Sequence, residues 1–313
     1  MNVFLCGMIW SLIRITVLAL ALFHISCGGN SAKKKYRVAF LDAFEDATLA
    51  QAKKGFFVAL KDSGFSPETN LEVLYRNAQG DIPALTQSVD YFIAQQVDLI
   101  ASNSTLSTVS AAKKTNKIPI CMMVSPSPEI AGLVDKTGKP QGNLFGVYET
   151  LEYIDTAFTL INELRPGARK VGTIINQSEP QSVDALKRIE AAAARAGLEL
   201  IVLPASSSAD TRLITEQLAS KGIDVFFALP DNTIFASFET IAAVCKGKNI
   251  PILTSEAGLM ARGANMAFGA DIYQWGYDAG CEAVKFLKTG KLPLPIKVKT
   301  RKICNVSEEP VKD

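Results

Sequence analysis

The sequence predicts an α/β protein of two doubly wound parallel-sheet lobes joined by a multi-strand hinge. Three observations predict it. Short apolar runs alternate with amphipathic segments along most of the chain, as strands alternate with crossover helices in parallel sheets. Residues 97–125 (VDLIASNSTLSTVSAAKKTNKIPICMMVS) and 223–256 (IDVFFALPDNTIFASFETIAAVCKGKNIPILTSE) read as two copies of one strand–turn–helix–strand unit. Each copy has an Asp at the head of its first strand (Asp98, Asp224), a polar turn (Asn103-Ser104-Thr105, Asp231-Asn232-Thr233) and a closing Ile-Pro-Ile. The second series shadows the first at a shift of roughly 130 residues, which places the copies in separate lobes with a cleft between them.

Length and composition support this. The chain of 313 residues, 48% hydrophobic and 20% charged, has enough apolar material for two cores. A formal net charge of +2 with scattered Lys and Arg gives no nucleic-acid footprint. Residues 15–23 are a short apolar run after Arg14, with no acidic residue before Asp42. Such a run is too short for a membrane span and fits the core of a secretory signal over residues 1–26. It ends at Ser26-Cys27-Gly28-Gly29-Asn30, which resembles a bacterial lipoprotein cleavage site with His24 where Leu is usual. The expectation is a lipid on Cys27, a polar tether over 27–35, and a body held on a bacterial membrane, facing the periplasm or the exterior. An uncleaved anchor is the alternative, and Met8 is an alternative start to Met1.

The body begins with a strand at 37–41. A helix with 3.6-residue periodicity spans 49–60, stopped by Gly64. A strand at 71–75 precedes a helix over 82–95, with Pro83 in its first turn. Strands at 98–102 and 118–124 complete the first series. The pattern restarts with strands at 171–175, 200–203 and 225–228, separated by helices at 182–196 and 211–220 that Gly197 and Gly222 close. The expected lobes are 36–147 plus 271–290, and 148–270 plus 291–313.

Open parallel sheets bind ligands beyond the carboxyl ends of their strands. The polar clusters fall at those ends: Phe44-Glu45-Asp46, Asn103-Ser104-Thr105, Ser125 and Ser127, Tyr148-Glu149, Asn176 to Glu179, Asp231-Asn232-Thr233, and Ser255-Glu256. Each cluster alone is what a helix cap looks like. Gathered on one edge, they describe a ligand cleft with helix N-termini suited to an anion.

Other chemistry is not encoded. The single histidine is His24, so the mature chain has no Ser–His or Cys–His pair. No Gly-rich nucleotide loop follows the first strand. The six cysteines have no metal-ligand spacing, and Cys121, Cys245, Cys281 and Cys304 read as isolated small hydrophobes. The expectation is no enzyme, no cofactor and no metal.

Several motifs together resemble one family. They are Leu229-Pro230-Asp231-Asn232-Thr233-Ile234, then Asn176-Gln177-Ser178-Glu179, then Ser255-Glu256-Ala257-Gly258, Gly263-Ala264, and Gly269-Ala270-Asp271 with Tyr273 and Gly276. In this order they resemble the ABC-transporter substrate-binding family with the type I periplasmic binding-protein fold, which includes aromatic-amino-acid-binding lipoproteins. The chain departs from the family pattern at Glu45-Asp46-Ala47, at Pro126-Ser127-Pro128, and at Phe145-Gly146-Val147-Tyr148-Glu149, where bulky Phe145 and Tyr148 imply a changed pocket volume. The resemblance implies a helix over 273–287 returning to the first lobe and a last strand at 296–303 across the hinge.

It also implies a function: an extracytoplasmic receptor that closes on a small zwitterion, an aromatic or related amino acid, for a membrane permease and its ATPase. In that reading Ser104 and Thr105 hold the carboxylate, and Asp231 or Glu256 pairs the ammonium. Asn176 and Asn232 orient the ligand, and Phe44 or Tyr148 covers its apolar part. Glu45, Asp46, Ser125 and Ser127 complete the lining. A surface or sensory lipoprotein and a nucleoside receptor of the same fold are the alternatives.

Overall fold

The computed structural model describes residues 34–297 and 303–306. The expected signal and Cys27 lie outside the described residues. Two six-stranded sheets carry the fold. In the first, β1 (Tyr36–Asp42), β2 (Leu71–Asn77), β3 (Leu99–Asn103), β4 (Ile120–Met123) and β5 (Leu144–Tyr148) run parallel in the order β5-β4-β3-β1-β2. In the second, β6 (Lys170–Ile175), β7 (Glu199–Pro204), β8 (Val225–Ala228), β9 (Ile252–Glu256) and β10 (Met266–Ala270) repeat that order as β10-β9-β8-β6-β7. Strands β3 and β8, the heads of the repeated unit, are buried along their whole length because helices cover both sheet faces.

The helices of the first lobe are α1 (Ala47–Asp62), α2 (Ile82–Ala94) and α3 (Thr105–Lys114). Those of the second begin with α4 (Tyr153–Thr159), α5 (Pro180–Ala196), α6 (Thr211–Ser220), the short α7 (Asn232–Ala236) and α8 (Phe238–Gly247). The long α9 (Ile272–Thr289) follows β10. Caps explain the starts: Asp46, Asp81, Ser104, Asp231 and Asp271 each accept a backbone N–H in the first turn. Gly197 and Gly290, at φ 67° and 68°, end α5 and α9 in the left-handed conformation.

The repeated Asp has one job in both lobes. Asp98 Oδ2 accepts the Arg37 N–H at 2.8 Å, and Asp224 Oδ2 accepts those of Arg169 and Lys170, also at 2.8 Å. Each thus ties the entry of the third strand to the entry of the first, at the end of the sheet away from the polar turns. The repeat in the sequence is a repeat in architecture.

The chain passes between lobes in three places. After β5 it runs through residues 149–152, with Leu151 at φ 59°, into α4, which packs on β9 and β10. After β10 it enters α9, which packs on α1, β4 and β5 of the first lobe. Finally β11 (Ile296–Lys297) joins β5 in the first sheet, and β12 (Ile303–Val306) pairs antiparallel with β10 in the second. Of the stretch 291–313 expected with the second lobe, β11 lies beside β5 in the first sheet, because α9 delivers the chain there, and β12 lies in the second. The single strand expected at 296–303 is likewise two strands, one per sheet.

Contact between α1 and α9 is backbone to backbone. A Cβ on Gly276 would stand 1.9 Å from the Ala52 carbonyl, and one on Gly55 would stand 2.2 Å from that of Tyr273. Gly269 in β10 crosses so near Ser255 that a side chain would occupy its carbonyl. Gly269 and Gly276, two of the glycines in the family motifs, are close backbone approaches.

Candidate functional site

Strand ends from both sheets meet at the junction of the lobes, and the predicted residues divide into groups with different work. In the second lobe, Asp231 is wholly buried and fully used. Its Oδ1 accepts the Thr233 and Ile234 N–H groups at 2.8 and 3.2 Å as the cap of α7. Its Oδ2 accepts the Asn176 N–H at 2.7 Å and the Ser182 hydroxyl at 2.6 Å. Four protein donors occupy Asp231, expected above to pair a ligand ammonium, so the geometry offers that group no unpartnered oxygen of it.

Asn176 and Asn232 are drawn into the same knot around Glu179. The Asn232 side-chain amide and backbone N–H donate to Glu179 Oε2 at 2.7 and 3.0 Å, and the Gln181 amide donates to the same oxygen. Asn176 Nδ2 donates to Thr233 Oγ1 at 2.9 Å, and its Oδ1 accepts from Ser178. Burial, and then the neighbouring Asp231 charge, hold Glu179 above the ordinary carboxylate range, against these donors. The N-x-S-E and P-x-D-N-T motifs are thus one hydrogen-bonded unit that fixes the strand ends of β6 and β8.

In the first lobe, Ser104 caps α3 with φ 96° and Thr105 opens it, both buried. Asn103 Nδ2 donates to Asp42 Oδ1 at 2.7 Å and to the Leu49 carbonyl at 3.0 Å, while its Oδ1 has no partner. Lys53 bridges Asp42 and the Tyr75 hydroxyl at 3.2 Å each. Glu45 is exposed. Phe44 and Tyr148 are half-buried against the apolar cluster of the first lobe, and Ser127 accepts the Ile130 N–H at 3.4 Å. Phe145 does not shape a pocket: it is wholly buried, with its ring 5.6 Å from that of Phe286 on α9.

Between the lobes stand two groups that sequence reasoning mostly missed. Arg262, at the end of the 3-10 turn Ala257–Arg262 after β9, donates to Asp46, the cap of α1 in the other lobe. The same guanidinium is held on its own lobe by Glu239, at 2.7 and 2.8 Å, and by the Phe235 carbonyl. Nothing in the sequence around Arg262 marks it. Asp46, expected to line the site, bridges the lobes through this contact.

The second group is Glu149, Tyr153, Glu256 and Trp275. Tyr153 on α4 donates to Glu256 Oε1 at 3.0 Å and interacts with Glu149 as well. Its ring meets that of Trp275 on α9 edge-on, centroids 6.4 Å apart. Glu149 and Glu256 are 4% and 1% exposed, yet the Oε2 of each has no partner. Nor has Trp275 Nε1, nor have the buried hydroxyls of Ser125 and Ser255. Buried polar groups left unpaired are costly and mark a place built for something else to touch. Burial pushes Glu256 up to about 8, and burial with the Glu256 charge raises Glu149 well above its usual range. The Tyr148-Glu149 token at a strand end was the signal for Glu149. For Tyr153, on a helix the periodicity did not mark, there was none.

A groove of about 940 Å³ lies elsewhere, along α3 and the 131–142 loop, reaching Ser178 and Pro180 of the second lobe. Of the polar clusters expected to line the cleft it touches only Ser178, and Lys113, Lys114 and Lys139 line it at the surface. Among the described residues no cluster of His, Cys, Asp and Glu could hold a metal.

Residues 37–306 match the model of the family described as ABC transporter substrate binding protein. The chain belongs to that family. The Tyrosine-binding protein of Clostridioides difficile is 33% identical to it over 279 residues, covering 88% of this chain and 80% of the relative. A conserved domain protein from Vibrio cholerae is similar in structure, with a TM-score of 0.80, 26% identity, and coverage of 87% of this chain and 92% of that one. The ABC domain from Streptococcus pneumoniae in complex with L-Trp has a TM-score of 0.77 at 22% identity, covering 84% and 90%. These neighbours confirm the two-lobed fold; the substrate-binding family has aromatic-amino-acid-binding members.

Proposed function

We propose that this substrate-binding protein captures an aromatic amino acid between its lobes and delivers it to an ABC permease and its ATPase. In this reading it is not an enzyme; it works from outside the cytoplasm, tethered by a lipid on Cys27. The observation that carries the ligand class is the set of unpartnered buried groups at the interlobe junction. Glu149 and Glu256 offer acceptors, Trp275 offers a donor, and the Ser125 and Ser255 hydroxyls can be either. A zwitterion needs both kinds at once. The neighbouring Tyr153 and Trp275 rings supply an aromatic wall. The Tyrosine-binding relative supports the same class. Closure of hinged lobes around the ligand is the motion such a two-domain architecture makes.

A thermal-shift panel of amino acids, nucleosides and sugars at about 1 mM tests this on the full-length protein. A ligand at about 1,000 times its Kd stabilises the folded form by roughly 4 kcal/mol. A response confined to aromatic amino acids is expected; one confined to nucleosides or sugars overturns the ligand class.

A further inference from the structure

We infer that Glu149, Tyr153 and Glu256 form the receptor's ammonium subsite, and that a ligand's amine enters it by displacing a proton the two glutamates share. This rests on the receptor reading above and adds to it where the amine binds and what leaves.

The first step is a count of hydrogens. Tyr153 carries one hydroxyl hydrogen and donates it to Glu256 Oε1 at 3.0 Å. Glu149 interacts with the same hydroxyl, which has no second hydrogen to give it. Both carboxylates are more than nine-tenths buried and both keep one oxygen without a partner. Two ionised carboxylates in such a place repel each other and lack solvation, so one proton is retained by the pair.

The second step is what surrounds them. Facing Glu149 from α5 are Arg188 and Asp184. Arg188 is already engaged, by Asp155 and Asp184 at 3.2 Å each and by the Thr150 carbonyl at 3.0 Å. Facing Glu256 across the lobe junction is Asp46, another negative charge, whose partner Arg262 is also bound to Glu239. From α9 comes Trp275, which is neutral. The neighbouring cations are thus committed elsewhere: the raised proton affinity of Glu149 follows from burial first and the Glu256 charge second, and that of Glu256 from burial first and the Asp46 charge after it.

The third step is independent of the acids. Trp275 Nε1 can only donate, is buried, and has no acceptor. Its ring meets that of Tyr153 edge-on, so the indole packs against the residue that donates to Glu256. A free amino acid carries a carboxylate two bonds from its ammonium and can present both to this one place. Exchange also keeps the charge of the buried site constant. One proton and two carboxylates sum to minus one, as do one ammonium and two carboxylates. The proton leaves a glutamate Oε2 for solvent, and no covalent bond between heavy atoms changes.

Calorimetric titration of the full-length protein with L-tyrosine, in buffers of different ionisation enthalpy at pH 6.5, tests the exchange. Close to one proton should be released per ligand, and affinity should rise about tenfold per pH unit below the pair's titration. The des-amino analogue 3-(4-hydroxyphenyl)propionate should bind at least a hundredfold more weakly and release no proton. The double variant Glu149→Gln with Glu256→Gln, checked for a cooperative melt, should bind without proton release and with a flat pH profile, while each single variant keeps part of the pH dependence because burial still acts on the glutamate that remains. L-tyrosine binding with no buffer-dependent heat in the wild type overturns the exchange. Wild-type affinity and pH dependence in the double variant overturns the subsite. Failure of L-tyrosine, L-tryptophan and L-phenylalanine alike to bind overturns the receptor reading itself, and the exchange with it.

Discussion

Arg262 reaches from the second lobe to Asp46 in the first, and the carboxylate it meets is the one that caps α1. One end of this bridge is anchored before the lobes meet, since Glu239 and the Phe235 carbonyl hold the guanidinium in place. The other end is anchored too, because Asp46 Oδ1 accepts the Thr48 and Leu49 N–H groups at 2.8 and 2.9 Å. A contact between two pre-set partners loses little side-chain freedom when it forms. It ties the two lobes together in the arrangement described.

Arg262→Ala should favour the open arrangement. Breaking a buried pair by removing one partner costs about 3 kcal/mol, and here the cost falls on closure because the bridge spans the lobes. Small-angle scattering of the ligand-free variant should show a larger radius of gyration, and ligand affinity should fall. An unchanged scattering profile would show that the bridge does not control closure.

Asp231→Ala should damage the fold. Four donors lose their acceptor, and α7 loses its cap. A lost cap costs about 1 kcal/mol and each stranded buried donor about 1–3 kcal/mol, so a loss on the order of 3 kcal/mol is expected in denaturant melts. A variant that melts like the wild type but no longer binds would restore Asp231 to the ligand site.

Stability of the ligand-free protein should fall as pH rises. Glu149 and Glu256 have proton affinities raised in the folded state, so the native form binds more protons than the unfolded chain above pH 4.5. Their contribution is complete below that point and is lost as pH approaches about 8 for Glu256. The loss is on the order of 3 kcal/mol across this window. Melting temperatures from pH 5 to pH 8 check it, and Glu256→Gln should flatten the slope.

Gly276→Ala should loosen the seam between α1 and α9. Its Cβ would meet the Ala52 carbonyl at 1.9 Å, which forces the helices apart. Overpacking of this kind costs about 1–3 kcal/mol, readable in chemical denaturation, whereas Gly247→Ala, with open space around it, should cost far less.

Much of this molecule was legible in its sequence. The alternation of apolar runs and helical stretches gave both sheets, and the repeated Asp98 and Asp224 turned out to close the same corner of each. Caps were legible as well, since Asp231 and Ser104 sit where their residue types belong. What a cap residue does beyond capping was not. Asp231 looked available for a ligand because a sequence does not show Asn176 or Ser182 arriving from elsewhere to fill its second oxygen. Arg262 and Tyr153 escaped for the same reason, as their partners Asp46 and Glu256 lie a hundred or more residues away. Phe145 was misjudged because it lies on a strand between two faces, and only α9 decides which face it fills.

The path of the chain between the lobes bears on how the protein is made. The first sheet takes its outermost strand from residues 296 and 297, and its covering helix α9 from 272–289, after all of the second lobe but β12 has been synthesised. A nascent chain that stops short of α9 leaves β4, β5 and the glycine face of α1 bare. Neither half can therefore finish as an independent early product, and folding waits on contacts more than two hundred residues apart, a topology that slows it. A polypeptide that folds late remains threadable for longer.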